Sequence, residues 1–122
     1  FYSEIRGKIR NNQWFMDVIR TCFPGGSITG APKLDSVKTI DLLENGKRGI
    51  YTGSSGYVEK SGDFDLNIVI RTALCQDGKF WIGAGGGVTC ESNPEFEYEE
   101  TLQKAKALAK ILGVNDLRER VK

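Results

Sequence analysis

A chain of 122 residues is the size of one ordinary domain, and its 39% apolar and 27% charged residues exclude a disordered tract. Its 17 basic and 16 acidic residues leave a net charge of +1, which excludes the electrostatic footprint of a general nucleic-acid or acidic-membrane partner. The chain has no histidine, so neither a Ser-His-Asp nor a Cys-His catalytic device can be built from these residues alone.

Residues 1–9, FYSEIRGKI, alternate with period two, which predicts a half-buried strand. An opening at Phe1 directly into this alternation reads as a piece of something longer. Asn12 is placed to cap a helix over about 13–22, with Trp14, Phe15, Val18, Ile19 and Cys22 as its apolar positions. A second helix is expected to start at Pro32, whose missing N–H costs nothing in a first turn, and to stop at Asn45-Gly46. Its stripe is Val37, Ile40 and Leu43. Strands are expected at about 48–59, 64–75 and 79–88. Asp77-Gly78 joins the last two as a type I′ hairpin, because both central residues of that turn need positive φ. This register sets Arg71 opposite Ala84. Asn93-Pro94 opens a final helix over about 94–112, with lysines towards its end and Gly113 as the stop. The order β, α, α, β, β, β, α predicts an α+β domain with an antiparallel sheet and packed helices, a single unit over 1–122.

No apolar run is long enough to span a bilayer and no signal-peptide pattern opens the chain, so a cytoplasmic location is expected. Cys22, Cys75 and Cys90 are far apart and odd in number, which fits reduced thiols rather than a disulfide framework or a zinc site.

Four features carry chemistry. In FPGGSITGAPK, residues 23–33, three glycines, Ser27 and Thr29 lead into a helix N-terminus, where free N–H groups and the dipole can meet an anion. A tight turn with a helix cap explains the same residues equally well. A Walker motif is rejected, since Ala31-Pro32 stands where Lys and a hydroxyl are required. In the second glycine cluster, residues 83–87, the density at a strand end means either a bulge or the close approach of a backbone or ligand. Its spacing is not a dinucleotide-binding fingerprint. Arg71, inside the apolar run LNIVIRTAL, is expected to be buried and to need a carboxylate-like partner, with a structural ion pair to Asp63, Asp65 or a helix glutamate as the plainer alternative. On the wheel of the last helix, with Glu97 set at about 0°, the apolar face spans about 20° to 140°, flanked by Lys104 at about 340° and Glu100 at about 300°. Glu99, Lys106 and Lys110 lie on the solvated side. Glu97 and Glu100 could together hold a hard cation such as Mg²⁺, although dipole placement and a Glu100–Lys104 pair explain them on sequence physics alone.

FPGGSITGAPK, GYVEKSGDFDLNIVIRT, GAGGGV and EYEETLQKAKAL, in this order and spacing over about 1–112, closely resemble the C-terminal part of the chorismate-utilising enzymes. These are anthranilate and aminodeoxychorismate synthases, with isochorismate and salicylate synthases as relatives. The resemblance implies Arg71 and Tyr51 on the substrate carboxylate, with the backbone of Gly85, Gly86 and Gly87 on the same anion. It implies Ser27 as the hydroxyl beside the ring, Glu100 as a Mg²⁺ ligand, Glu97 as a carboxylate behind it, and Lys104 near the ring carboxylate. Further implications are chorismate as substrate, Mg²⁺ as cofactor and a glutamine amidotransferase partner supplying ammonia. SIT in place of the TLS common in anthranilate synthases, and Asn67 in DLNIVIRT, resemble aminodeoxychorismate synthase, on the route to 4-aminobenzoate and folate. The family's upstream lysine, catalytic glutamate, second metal glutamate and histidine have no counterpart in these residues. The expectation is half of an active site, inactive without the upstream part of the same enzyme. The alternatives are an anthranilate synthase and, in another class, a non-catalytic module that binds a small carboxylate.

Overall fold

The computed structural model describes residues 4–114 and 117. Its elements are α1 (Phe15–Cys22), α2 (Gly26–Thr29), α3 (Lys33–Leu43), β1 (Ser54–Val58), β2 (Phe64–Ile68), β3 (Ala73–Gln76), β4 (Lys79–Ile82) and α4 (Pro94–Ile111). Small antiparallel sheets and helices make this an α+β arrangement, although the strands form two separate two-stranded ribbons, β1–β2 and β3–β4, rather than one sheet.

The expected N-terminal strand is not formed. Residues 1–3 lie outside the described residues, and 4–9 are irregular, with Ile5 94% exposed. Alternation alone cannot hold a strand that has no ladder partner among the described residues. Helix α1 starts two residues later than expected. Asn12 sits in a turn at φ 71°, and Asp17 accepts the backbone N–H of Trp14 at 2.8 Å, which fixes Trp14 as the cap. In α3, Pro32 is the cap residue rather than the first helical one, because its ψ of 135° is extended, and the helix closes at Glu44 before Asn45-Gly46 is reached. The segment between them is itself a turn of helix, α2. There Gly30 takes φ 91° and its Cα packs towards Ser36, whose Oγ would be 3.2 Å from an added Cβ.

The Asp77-Gly78 hairpin forms as expected. Both residues have positive φ, 51° and 70°, and the ladder runs from Gln76↔Lys79 to Ala73↔Ile82. The expected long strand 64–75 is broken in two by Arg71, whose φ of 50° is foreign to a strand. β2 therefore pairs with β1, Ser54↔Ile68 to Val58↔Phe64, while only β3 pairs with β4. The expected 79–88 strand ends at Ile82, so the Arg71–Ala84 pairing does not form.

Helix α4 matches its sequence signals at both ends. The Asn93 side chain accepts the N–H of Phe96 at 3.1 Å, Pro94 occupies the first turn, and Gly113 turns out at φ 75°. The N–H groups of Gly113 and Val114 return to the carbonyls of Lys110 and Ala109, a Schellman closure that satisfies two terminal acceptors. The expected apolar face turns inward, with Ala105 and Ala109 buried and Leu102, Leu108 and Leu112 half-buried, while Glu99, Lys106 and Lys110 are exposed.

The expected single core is small. Among the described residues only Val69, Ala105 and Ala109 are buried, and the accessible surface of 11039 Å² far exceeds the roughly 6,500 Å² of a compact monomer of this size. The α3 stripe is covered only in part, with Ile40 half-buried and Leu43 71% exposed. In ribbon β1–β2 the two backbones approach closely at Gly56, where an added Cβ would fall 1.9 Å from the carbonyl oxygen of Asp65 across the ladder. Gly56→Ala is accordingly expected to destabilise this hairpin by about 1–3 kcal/mol, the usual cost of overpacking. Faster hydrogen exchange confined to β1 and β2 would register it, and unchanged protection would show that the strands part without cost.

Candidate functional site

The residues singled out from the sequence fall into one assembled group and four outliers. At the centre of the group is the irregular segment 83–87 that leaves β4. Tyr51, in the tight turn before β1, lays its ring on Gly83: an added Cβ there would lie 2.2 Å from the ring Cγ. The Tyr51 hydroxyl reaches Gly85, 3.0 Å from the position of a Cβ. Glycine at 83 is thus required by close approach of the Tyr51 side chain, where the sequence led to expect a bulge or the approach of a backbone or ligand.

Helix α4 closes the other side. Lys104 Nζ donates to the Gly85 carbonyl at 3.2 Å and pairs with Glu100 Oε1 at 2.6 Å. Glu97 is half-buried, with Oε2 3.0 Å from the Cβ position of Gly86 and Oε1 accepting the Ser92 hydroxyl at 2.8 Å. Tyr51, Gly85, Gly86, Glu97, Glu100 and Lys104 therefore gather along the glycine segment. Both glutamates sit on the edge of the helix expected from the wheel, and the expected Glu100–Lys104 pair is present.

Ser27 is exposed on α2, and no hydrogen bond or ion pair shown among the described residues joins it to this group. Lys33, at the start of α3, donates to the Thr21 carbonyl at 3.4 Å, which engages its ammonium with backbone. Gly87 has open space around its Cα. Arg71 departs most from expectation. It is exposed rather than buried, because the left-handed turn at its own Cα carries it out of the ladder, and it makes no ion pair among the described residues. The ion pairs with Asp63, Asp65 or a helix glutamate are not formed. Arg71 is nevertheless tied to Tyr51 through the backbone. Thr52 N–H donates to the Val69 carbonyl at 2.8 Å, and Val69 N–H donates to the Gly53 carbonyl at 2.9 Å. Val69, two residues before Arg71, thus anchors the turn that carries Tyr51.

Two contributors escape motif reading. Ser92 holds Glu97 through one hydroxyl contact. Arg48 forks onto Glu44, with Nε to Oε2 at 2.8 Å and Nη2 to Oε1, and its Nη1 donates to Thr52 Oγ1 at 3.1 Å. Glu44 closes α3 and Arg48 lies beyond it in irregular chain, so no helical spacing announced their pairing. A cavity of about 230 Å³ opens beside them, lined by Arg48, Tyr51, Val69, Thr72, Trp81 and Gly83 among others.

The electrostatics follow from these contacts. The hydrogen bond from Arg48 holds the Glu44 carboxyl below its ordinary value, and Glu44 in turn raises Arg48. Burial pushes the Tyr51 phenol up, opposed by the nearby charges of Arg48 and Lys104. Tyr51 therefore remains a neutral hydrogen-bond donor at physiological pH.

As for a cation, Glu97 and Glu100 are hard oxygen donors of the type Mg²⁺ takes, but each already has one oxygen engaged. Among the described residues no three Asp, Glu, Cys or His side chains gather into a metal-binding group. The residues fit part of a shell. Cys22, Cys75 and Cys90 are exposed thiols without disulfides, and no helix among the described residues is long and apolar enough to cross a membrane.

The chorismate binding enzyme family matches residues 1–110. Anthranilate synthase component 1 of Aquifex aeolicus is 43% identical over 112 residues, which is 92% of this chain and 23% of that protein. The chloroplastic aminodeoxychorismate synthase of Arabidopsis thaliana is 50% identical over 107 residues, 88% of this chain and 12% of that protein. A probable aminodeoxychorismate synthase of rice is 48% identical over 110 residues, 90% of this chain and 12% of the relative. The chain thus spans a quarter or less of the length of these curated relatives.

Proposed function

Because this chain belongs to the chorismate binding enzymes, we propose that it is the C-terminal part of an aminodeoxychorismate synthase component. That enzyme replaces the C4 hydroxyl of chorismate with ammonia delivered by a glutamine amidotransferase partner, on the route to 4-aminobenzoate and folate in the cytoplasm. The observation that carries this reading is the gathering of Tyr51, Lys104, Glu97 and Glu100 along the glycine segment 85–86, in a chain about half identical to an aminodeoxychorismate synthase.

Each residue has a task in this reading. The Tyr51 phenol and the Arg71 guanidinium hold the substrate carboxylate, one as a neutral donor and one as a charged fork. Backbone N–H groups of Gly85, Gly86 and Gly87 face the same anion, where the absence of side chains lets it approach. Ser27 offers a hydroxyl beside the ring. Lys104, held between Glu100 and the Gly85 carbonyl, supplies a positive charge near the ring carboxylate. Glu100 and, behind it, Glu97 would hold Mg²⁺. When bound, the metal supplies Lewis-acid polarisation for departure of the C4 hydroxyl.

The identity of 43% to an anthranilate synthase component favours that enzyme as the second reading. Product analysis of the intact enzyme with chorismate, ammonia and Mg²⁺ separates the two: 4-amino-4-deoxychorismate is expected, and anthranilate would replace the first reading by the second. The 122-residue chain alone is expected to form neither. It buries too little surface to organise a site by itself, and turnover by the purified chain would overturn the view that it supplies only part of the catalytic centre.

A further inference from the structure

Tyr51 lies in a turn, where a side chain is ordinarily free to change rotamer. Its ring is instead held from two sides. One face meets Gly83, and the Arg48 guanidinium carbon stands 5.7 Å from the ring centroid, within cation–π range. Arg48 is in turn fixed by the two-armed contact with Glu44, the residue that closes α3, and by its third nitrogen on Thr52 Oγ1. The Tyr51 N–H returns to the Arg48 carbonyl at 3.1 Å, so the backbone holds the two residues together as well. A planar guanidinium that spends three nitrogens on two oxygen-bearing neighbours has few orientations left, and its planar face is then available to the ring.

We propose that the Glu44–Arg48 pair is a positioning device that locks the Tyr51 ring against Gly83 and aims its hydroxyl along the glycine segment at Gly85. Arg48 and Glu44 act through Tyr51 and touch no substrate. The consequence for binding rests on the reading of Tyr51 as a contact for the substrate carboxylate. The consequence for the ring does not.

The experiment is made on the intact enzyme, with 3-fluorotyrosine incorporated at position 51 as a ¹⁹F reporter. Arg48→Gln and, as a second route should that variant fold poorly, Glu44→Gln are expected to shift or broaden the resonance in the absence of any ligand. Arg48→Lys keeps the charge without the fork and should restore part of the parent signal. Chorismate kinetics form the second arm. Arg48→Gln should raise KM about tenfold, the equivalent of one lost hydrogen bond, with little change in kcat, and should add nothing when Tyr51 is already Phe. A resonance that stays put in both Gln variants overturns the proposal, whatever happens to melting temperature. A resonance that moves while KM is unchanged in Arg48→Gln and in Tyr51→Phe leaves the positioning device standing and removes Tyr51 from the substrate site.

Discussion

Arg71→Ala in the intact enzyme is expected to raise the KM for chorismate by roughly 30- to 1,000-fold, corresponding to about 2–4 kcal/mol for a desolvated bidentate contact with a carboxylate. Arg71 makes no ion pair among the described residues. It also sits at φ 50°, a conformation that a long side chain adopts at a cost and that persists only where the surroundings impose it. The imposition is visible on its N-terminal side, where Val69 is buried and hydrogen-bonded on both backbone groups to the turn of Tyr51. Tyr51 and Arg71 are thereby mounted on one frame. Arg71→Lys should recover only part of the affinity, because an ammonium cannot match two carboxylate oxygens. An unchanged KM in Arg71→Ala would remove Arg71 from the substrate site.

Arg71 also marks where the fold stopped being legible in the sequence. Within LNIVIRTAL the residues flanking Arg71, Ile68, Val69, Ile70 and Thr72, favour a strand, and nothing local announces a left-handed residue in the middle. The break arises because two ribbons with different partners must separate there, a tertiary requirement. By contrast, Asp77-Gly78, Asn93-Pro94 and Gly113 act within a few residues of themselves, and each produced the hairpin, cap or stop that its chemistry dictates. The α4 wheel was legible for the same reason: one regular element fixes which residues share a face, so Glu97 and Lys104 could be set at the buried edge before any partner was known. The contacts of Tyr51 with Gly83 and of Glu97 with Ser92 and Gly86 were not available this way, since they join an irregular segment to distant elements. The first strand failed for a further reason. Alternation in residues 4–9 describes a surface that could pair and says nothing of whether a partner lies within reach.

Glu100→Gln is expected to abolish turnover in the intact enzyme or to raise its Mg²⁺ requirement sharply, while Glu95→Gln, on the exposed first turn of the same helix, should do neither. Magnesium demands near-octahedral oxygen coordination with few protein carboxylates, so removing one formal charge from its shell lowers affinity directly. A carboxylate in the first helical turn contributes only about 0.3–1 kcal/mol through the dipole. The contacts in the chain predict how far the site can go unaided. Glu100 Oε1 is paired with Lys104 and Glu97 Oε1 accepts from Ser92, which leaves one oxygen on each carboxylate outside these contacts. Two oxygens on adjacent turns of α4, beside an ammonium 2.6 Å from Glu100, are a poor cation site. For the 122-residue chain, Mg²⁺ should therefore bind no tighter than about the millimolar range. Replacing Lys104 by Met should tighten that binding by freeing Glu100 from its competitor, even as it lowers affinity for an anionic substrate in the intact enzyme. Calorimetric titration of the chain decides between the two cases. Micromolar Mg²⁺ affinity with Lys104 present would mean that Glu97 and Glu100 complete a metal centre within these residues, and the assignment of part of the shell to the rest of the enzyme would fail.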